Sequence, residues 1–195
     1  MPSILPALAA YPVIAAVRSD EQLARALESP VRVIFLLGGD PETLPGRVSK
    51  ARSAGKIVFV HMDLVEGFSR DACGVKWLAH TARPSGVLST RAPILRAAAE
   101  ERLLTVLRVF MVDSSSLATG VRMAKSCDPT LIEVMPGLVT RAIRRLSQSV
   151  SQPVIAGGML EAEKDVTSAL NAGALAASTS SEFLWAHACA VQKES

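Results

Sequence analysis

The chain has 195 residues, 49% hydrophobic and 20% charged, with a mean hydropathy of +0.31. These proportions suit one compact domain over residues 1–195 and exclude a disordered chain. The longest apolar runs, such as Val33 to Leu37, fall far short of the roughly 20 residues that cross a bilayer, so neither a transmembrane helix nor a membrane partner is expected. Lys and Arg number 21 against 18 Asp and Glu, a net charge of +3, which permits an anionic partner without demanding one.

In chain order, Ile4 to Val17 is apolar, but no Lys or Arg precedes Arg18 and Pro6 and Pro12 interrupt it. It reads as a first strand and its approach rather than a signal peptide. Further β-rich runs follow at Val31 to Leu37, Ile57 to Val60, Gly86 to Leu88, Leu104 to Val109, Leu131 to Val134, Val154 to Ala156 and Ala174 to Ala177. Between them lie stretches with helical spacing. Val139, Ile143, Leu146 and Val150 share one helix face, and Ile94/Ala98, Leu95/Ala99 and Val166/Leu170 repeat the pattern. Ser19 with Gln22 forms a capping box, Asp113 precedes the Ser114 to Ser116 run as an N-cap, and Gly55 and Gly173 stand where helices stop.

Strands that alternate with helices pair in parallel through right-handed crossovers. With about 24 residues for each β/α unit, the expected fold is a single compact (β/α)8 TIM-like barrel with short loops. An open doubly wound sheet uses the same alternation, but the strand count favours the barrel. Cys73, Cys127 and Cys189 are far apart and form no CxxC pair, so neither a disulfide framework nor a zinc ribbon is encoded and a reducing cytoplasm fits.

Polar residues gather just after the apolar strand cores, which a barrel carries to its C-terminal face. After the seventh and eighth strands come Gly157-Gly158 and Ser178-Thr179-Ser180. Glycine there lets backbone N–H groups approach an anion, and the hydroxyls add donors; a tight turn and a helix cap are the plainer explanation. Taken together, the two positions favour phosphate at Gly157, Gly158, Ser178 and Thr179, with Ser89 and Thr90 as additional donors.

His61 and Asp63 can point the same way, either as a histidine oriented by its carboxylate or as polar ligand contacts, and no third residue at diagnostic spacing argues for a metal. Arg108 and Glu133 either pair across the mouth, or bind a ligand's anion and hydroxyls respectively. Arg141, Arg144 and Arg145 form a basic ridge on one helix side, either simply solvated or set against RNA phosphates. Aromatic residues make up only 4% of the chain, which argues against a base-stacking platform.

Several segments together carry a family resemblance. They are Ala15-Ala16-Val17-Arg18, the run from Val58 to Gly67, Leu88-Ser89-Thr90, Arg108 to Ser114, Ile132 to Gly137, Ile155 to Leu160, and Ala177 to Ser180 with Leu184-Trp185. From about Val13 to Trp185 the chain resembles the glycerol-3-phosphate responsive antiterminators. Met62, Met135 and Met159 stand where Ile or Leu is expected, and Arg91 where Lys is familiar.

The resemblance implies a TIM-like barrel that takes glycerol 3-phosphate as effector, uses no cofactor and has no catalytic residues. Such a protein acts on leader mRNA so that transcription passes a terminator. The competing expectation is a small phosphate-binding barrel enzyme, of isomerase or lyase type, acting on a phosphorylated C3 to C5 metabolite with Asp63 or Glu133 as base. Either reading is compatible with a homo-oligomer.

Overall fold

The computed structural model describes residues 4–187. It opens with helix α1 (Ile4–Ala10), followed by strand β1 (Val13–Val17), α2 (Asp20–Glu28), β2 (Val33–Leu36), α3 (Leu44–Ser53) and β3 (Ile57–His61). A 3-10 turn (Met62–Leu64) leads to α4 (Ala72–Trp77), a π turn (Leu78–Ala82), β4 (Gly86–Ser89), α5 (Ala92–Glu100) and β5 (Leu104–Phe110). The chain continues through α6 (Ser114–Cys127), β6 (Leu131–Met135), α7 (Thr140–Ser147), β7 (Val154–Gly157), α8 (Glu163–Asn171), β8 (Ala176–Thr179) and α9 (Glu182–His187). The strands close in sequence order, with β1 paired to β8, into the expected barrel. Every pairing is parallel.

The period-two alternation of strand side chains sorts the apolar residues into two cores. Outward residues such as Ile34, Val58, Leu107, Ile132 and Ala177 pack under the helices with Leu23, Val48, Leu95, Ile143 and Val166. Inward residues such as Ile14, Val33, Phe35, Ile57, Phe59, Val106, Leu131 and Ile155 fill the barrel itself. Phe35 and Phe59 meet edge to face with ring centroids 5.5 Å apart. Gly86 makes room for Phe59, since a Cβ there would collide with its ring.

The helix punctuation follows local chemistry. Ser19 Oγ accepts from the Gln22 N–H, while the Gln22 side chain accepts from Arg18 N–H at 2.8 Å. Asp113 caps α6; the Ser115 and Ser116 hydroxyls and the Ser116 N–H hold its carboxyl down at about 2. Gly55 and Gly173 follow α3 and α8 at φ of 75° and 106°, where a side chain is costly.

Two expectations need correction. The segment before β1 is not simply an extended approach: Ile4 to Ala10 is helical, and its buried Ile4 and Leu8 join the inner core as a plug. Pro6 is tolerated because its missing N–H falls in the first turn. The eighth strand begins two residues later than its apolar run, because Ala174 N–H donates back to Ala169 O and closes α8. Among the described residues, no helix is long and apolar enough to cross a membrane.

Candidate functional site

The last inward residue of several strands is polar, so the apolar filling of the barrel ends in a charged layer. Arg108 and Glu133 are direct neighbours in the β5–β6 register and are 8% and 0% exposed. Arg108 Nε donates to Glu133 Oε2, and Ser178 Oγ donates to Glu133 Oε1. Gly157, on β7 between the strands of Glu133 and Ser178, pairs with Ser178. A Cβ there would collide with the Glu133 carboxylate and lie 2.9 Å from Ser178 Oγ. Gly157 is therefore needed as room for a buried carboxylate as much as for any approach to an anion.

A cavity of about 410 Å3 opens above this layer, walled by Arg18 and Leu37 on one side and by Arg108, Met135, Gly158 to Glu161 and Ser178 to Ser181 on the other. Arg108 gives only its Nε to Glu133, and its terminal nitrogens have no acceptor among the described residues. Gly158 adopts φ of +77°, and neither its N–H nor that of Ser180 meets an acceptor among the described residues. Buried cationic donors beside free backbone N–H groups are the equipment of an anion site. The α8 N-terminus contributes less, because Asp165 Oδ2 already accepts from the Glu161 and Ala162 N–H groups.

The expected residues divide between two sides of the mouth. Gly158, Ser178, Thr179 and Arg108 line the cavity, with Gly157 and Glu133 beneath it. The Thr179 hydroxyl, however, donates to Leu160 O at 2.6 Å, tying two loops together. Ser89 and Thr90, expected as additional phosphate donors, lie outside this cavity with their donors engaged. Ser89 Oγ donates to Asp63 at 3.0 Å, and Thr90 gives Asp63 Oδ2 both its N–H at 2.7 Å and its hydroxyl at 2.9 Å. They sit at the end of β4, half a barrel turn from β8.

The His61 ring is 3% exposed, and its Nδ1 has no hydrogen-bond partner. Asp63 Oδ2 lies 3.9 Å from that nitrogen, beyond hydrogen-bond reach, so Asp63 does not hold the ring. Burial, reinforced by the nearby Arg108 charge, lowers the imidazole to about 4. It is neutral at pH 7. Of the two alternatives for Arg108 and Glu133, the ion pair is present, and Arg108 still has donors left for a ligand. Among the described residues, no group of three His, Cys, Asp or Glu side chains is placed to hold a metal.

Arg141, Arg144 and Arg145 are exposed on α7, opposite buried Ile143 and Leu146. Arg18 was not singled out as a ligand contact, nor were Leu37, Leu160, Glu161 and Ser181. Arg18 had a legible signal, since it is the first charged residue after an apolar strand, as Arg108 and His61 are near the ends of theirs.

The closed barrel and its mouth define a (β/α)8 protein with a candidate anion-binding cavity across the ends of β7, β8 and β1. The chain belongs to the glycerol-3-phosphate responsive antiterminator family, whose sequence pattern matches residues 13–185. It is similar to a solved glycerol uptake operon antiterminator regulatory protein from Listeria monocytogenes, with 31% identity, TM-score 0.86, and coverage of 90% of this chain and 95% of that one. A solved antiterminator-related protein from Thermotoga maritima is 28% identical with TM-score 0.79, covering 89% of this chain and 96% of that one. The Escherichia coli protein YgcP, described as uncharacterized, is 35% identical over 89% of this chain and 91% of its own length.

Proposed function

We propose that the protein is a non-catalytic sensor in which glycerol 3-phosphate enters the mouth and favours the conformation that acts on leader RNA. The observation that carries this reading is the cavity itself, where Arg108 has unbonded guanidinium nitrogens and Gly158 and Ser180 have unbonded backbone N–H groups. The phosphate goes to Arg108 and to the backbone N–H groups of Gly158 and Ser180, beside Gly157, Ser178 and Thr179. The glycerol hydroxyls turn toward Glu133, Asp63 and the buried, unpartnered Nδ1 of His61. No cofactor is required. An effector can regulate only through different affinities for two states, so RNA contact and ligand must be linked through the barrel.

The exposed arginines of α7 supply phosphate contacts for the RNA. The enzyme reading has less support. Glu133 accepts from Arg108 and Ser178 with its two oxygens, and Asp63 accepts from Ser89 and Thr90, so neither is poised as a free base.

Calorimetry against glycerol 3-phosphate, glycerol, dihydroxyacetone phosphate and inorganic phosphate, with product analysis of the same samples, tests the proposal. Selective binding of glycerol 3-phosphate, recovered unchanged, is expected. Turnover of any phosphorylated compound, or equal affinity for inorganic phosphate, overturns it.

A further inference from the structure

The other end of the barrel is also basic. Beneath the starts of β3 and β5, a cleft of about 520 Å3 is walled by Arg52, Lys56, Arg83 and Arg102. A neighbouring cleft of about 500 Å3 shares Arg52 and Arg83 and adds the hydroxyl residues Ser49 and Thr81. The two adjoin at Arg52 and Arg83 and make one track from the base up the side of α3. Glu101 is the carboxylate in the lining, and it is engaged by His80 Nε2 at 3.0 Å.

The charges on this track are held by neutral groups. Arg52 Nη1 donates to Arg83 O at 2.8 Å, Arg83 Nε to His80 O at 3.0 Å, and Lys56 Nζ to Ser29 O and Val31 O, each at 2.7 Å. Those bonds orient the side chains without cancelling their charge. Arg83 and Arg102 stand at φ of 56° and 59° as the left-handed residues that end the π turn and α5, which fixes where their side chains leave the helix ends.

We infer that this basal track holds the sugar-phosphate backbone of single-stranded RNA, at the end of the barrel opposite the effector. The inference rests on the proposed action on RNA and adds a second contact surface to α7. An open track with shared arginines suits a run of phosphates better than one enclosed anion. Three of the four cations are arginines, whose planar forks match phosphate oxygens. No aromatic side chain lines either cleft, so the contact reads backbone rather than bases.

The test is fluorescence anisotropy with a labelled oligouridylate of about 20 nucleotides, titrated between about 50 and 200 mM salt. Arg52→Gln/Arg83→Gln/Arg102→Gln is expected to weaken binding at least about tenfold at low salt and to reduce the log–log salt slope by about 2. Its glycerol 3-phosphate affinity, measured by calorimetry, stays that of the parent. If the triple variant melts early, Arg102→Gln alone replaces it. That side chain makes no hydrogen bond among the described residues, and its removal takes about 0.7 off the slope.

A variant slope equal to the parent's, while Arg141→Gln/Arg144→Gln/Arg145→Gln lowers it, overturns the basal track and leaves the proposed function standing. No RNA binding by the parent overturns both. Displacement of the RNA by polyglutamate at equal charge concentration assigns the track to an acidic protein surface instead and overturns the inference.

Discussion

The two sides of the barrel mouth look alike in sequence and differ in what they leave unbonded. On the β3–β4 side, Asp63 takes hydrogen bonds from Ser89 Oγ and from both the N–H and the hydroxyl of Thr90. On the β5–β8 side, Arg108 and Ser178 satisfy Glu133, yet Arg108 and the Gly158 and Ser180 backbone retain donors that face a cavity. A cluster of polar residues at strand ends thus identifies a mouth. The surplus of donors over acceptors marks the candidate binding side.

The largest effect expected is at Arg108. Replacing it by Met leaves Glu133 buried without its cation, which costs about 3–5 kcal/mol in stability. The double variant Arg108→Met/Glu133→Gln removes the stranded charge and keeps an acceptor for Ser178, so chemical denaturation should show most of that loss recovered. Calorimetry should show glycerol 3-phosphate binding still lost. Recovery of both would make the pair structural only.

Next is the acid sensitivity of the β3 edge. His61 is depressed to about 4 in the folded protein against about 6.5 unfolded. Its contribution to stability is therefore complete above pH 6.5 and is lost as pH falls toward 4, since only the unfolded chain takes up the proton readily. Urea unfolding of parent and His61→Gln should diverge by about 3 kcal/mol between pH 7 and 4, with the variant less acid-sensitive. Parallel curves would mean that the ring is open to water.

Gly158→Asp should cut glycerol 3-phosphate affinity about a hundredfold, or about 2.8 kcal/mol, by setting a negative charge against the anion. A Cβ there meets Met135 Cε, the flexible end of a side chain, and Asp adopts a φ of +77° more readily than most residues, so near-parental far-UV circular dichroism is expected. Smallest of all, Ser89→Ala should cost about 1 kcal/mol of stability and leave the affinity within about twofold. A tenfold weaker affinity would move the anion toward β4 and dissolve the distinction between the two sides.

The fold was legible because β-branched runs and glycine stops repeat along the chain, and the barrel follows from their number. Boundaries were less so. Apolarity ended the third, fourth and eighth strands before His61, Ser89 and Ser178, yet these residues belong to the strands and point polar groups from a rigid sheet. The α1 plug was hidden because Pro6 and Pro12 break a helical pattern on paper, although Pro6 falls where a helix tolerates it.

The candidate site was legible as residue types but not as partnerships. Sequence offered Ser89-Thr90 and Ser178-Thr179 as equals, and only the paths of the loops show that Asp63 engages the first pair, while Glu133 and Leu160 engage the hydroxyls of the second. Gly157 was read for its backbone. Its principal service is the space it gives a carboxylate on the neighbouring strand.

The seam between β1 and β8 has a consequence in time. The cavity wall takes Arg18 from one side of that seam and Ser178 to Ser181 from the other, and Tyr11 OH donates across it to Trp185 O at 2.7 Å. During synthesis the early units emerge long before the last strand exists, so a nascent chain holds only half of this cavity wall. The cavity is complete only at the moment the barrel shuts. By mass action, an effector bound there as proposed strengthens the latest-forming join in the molecule.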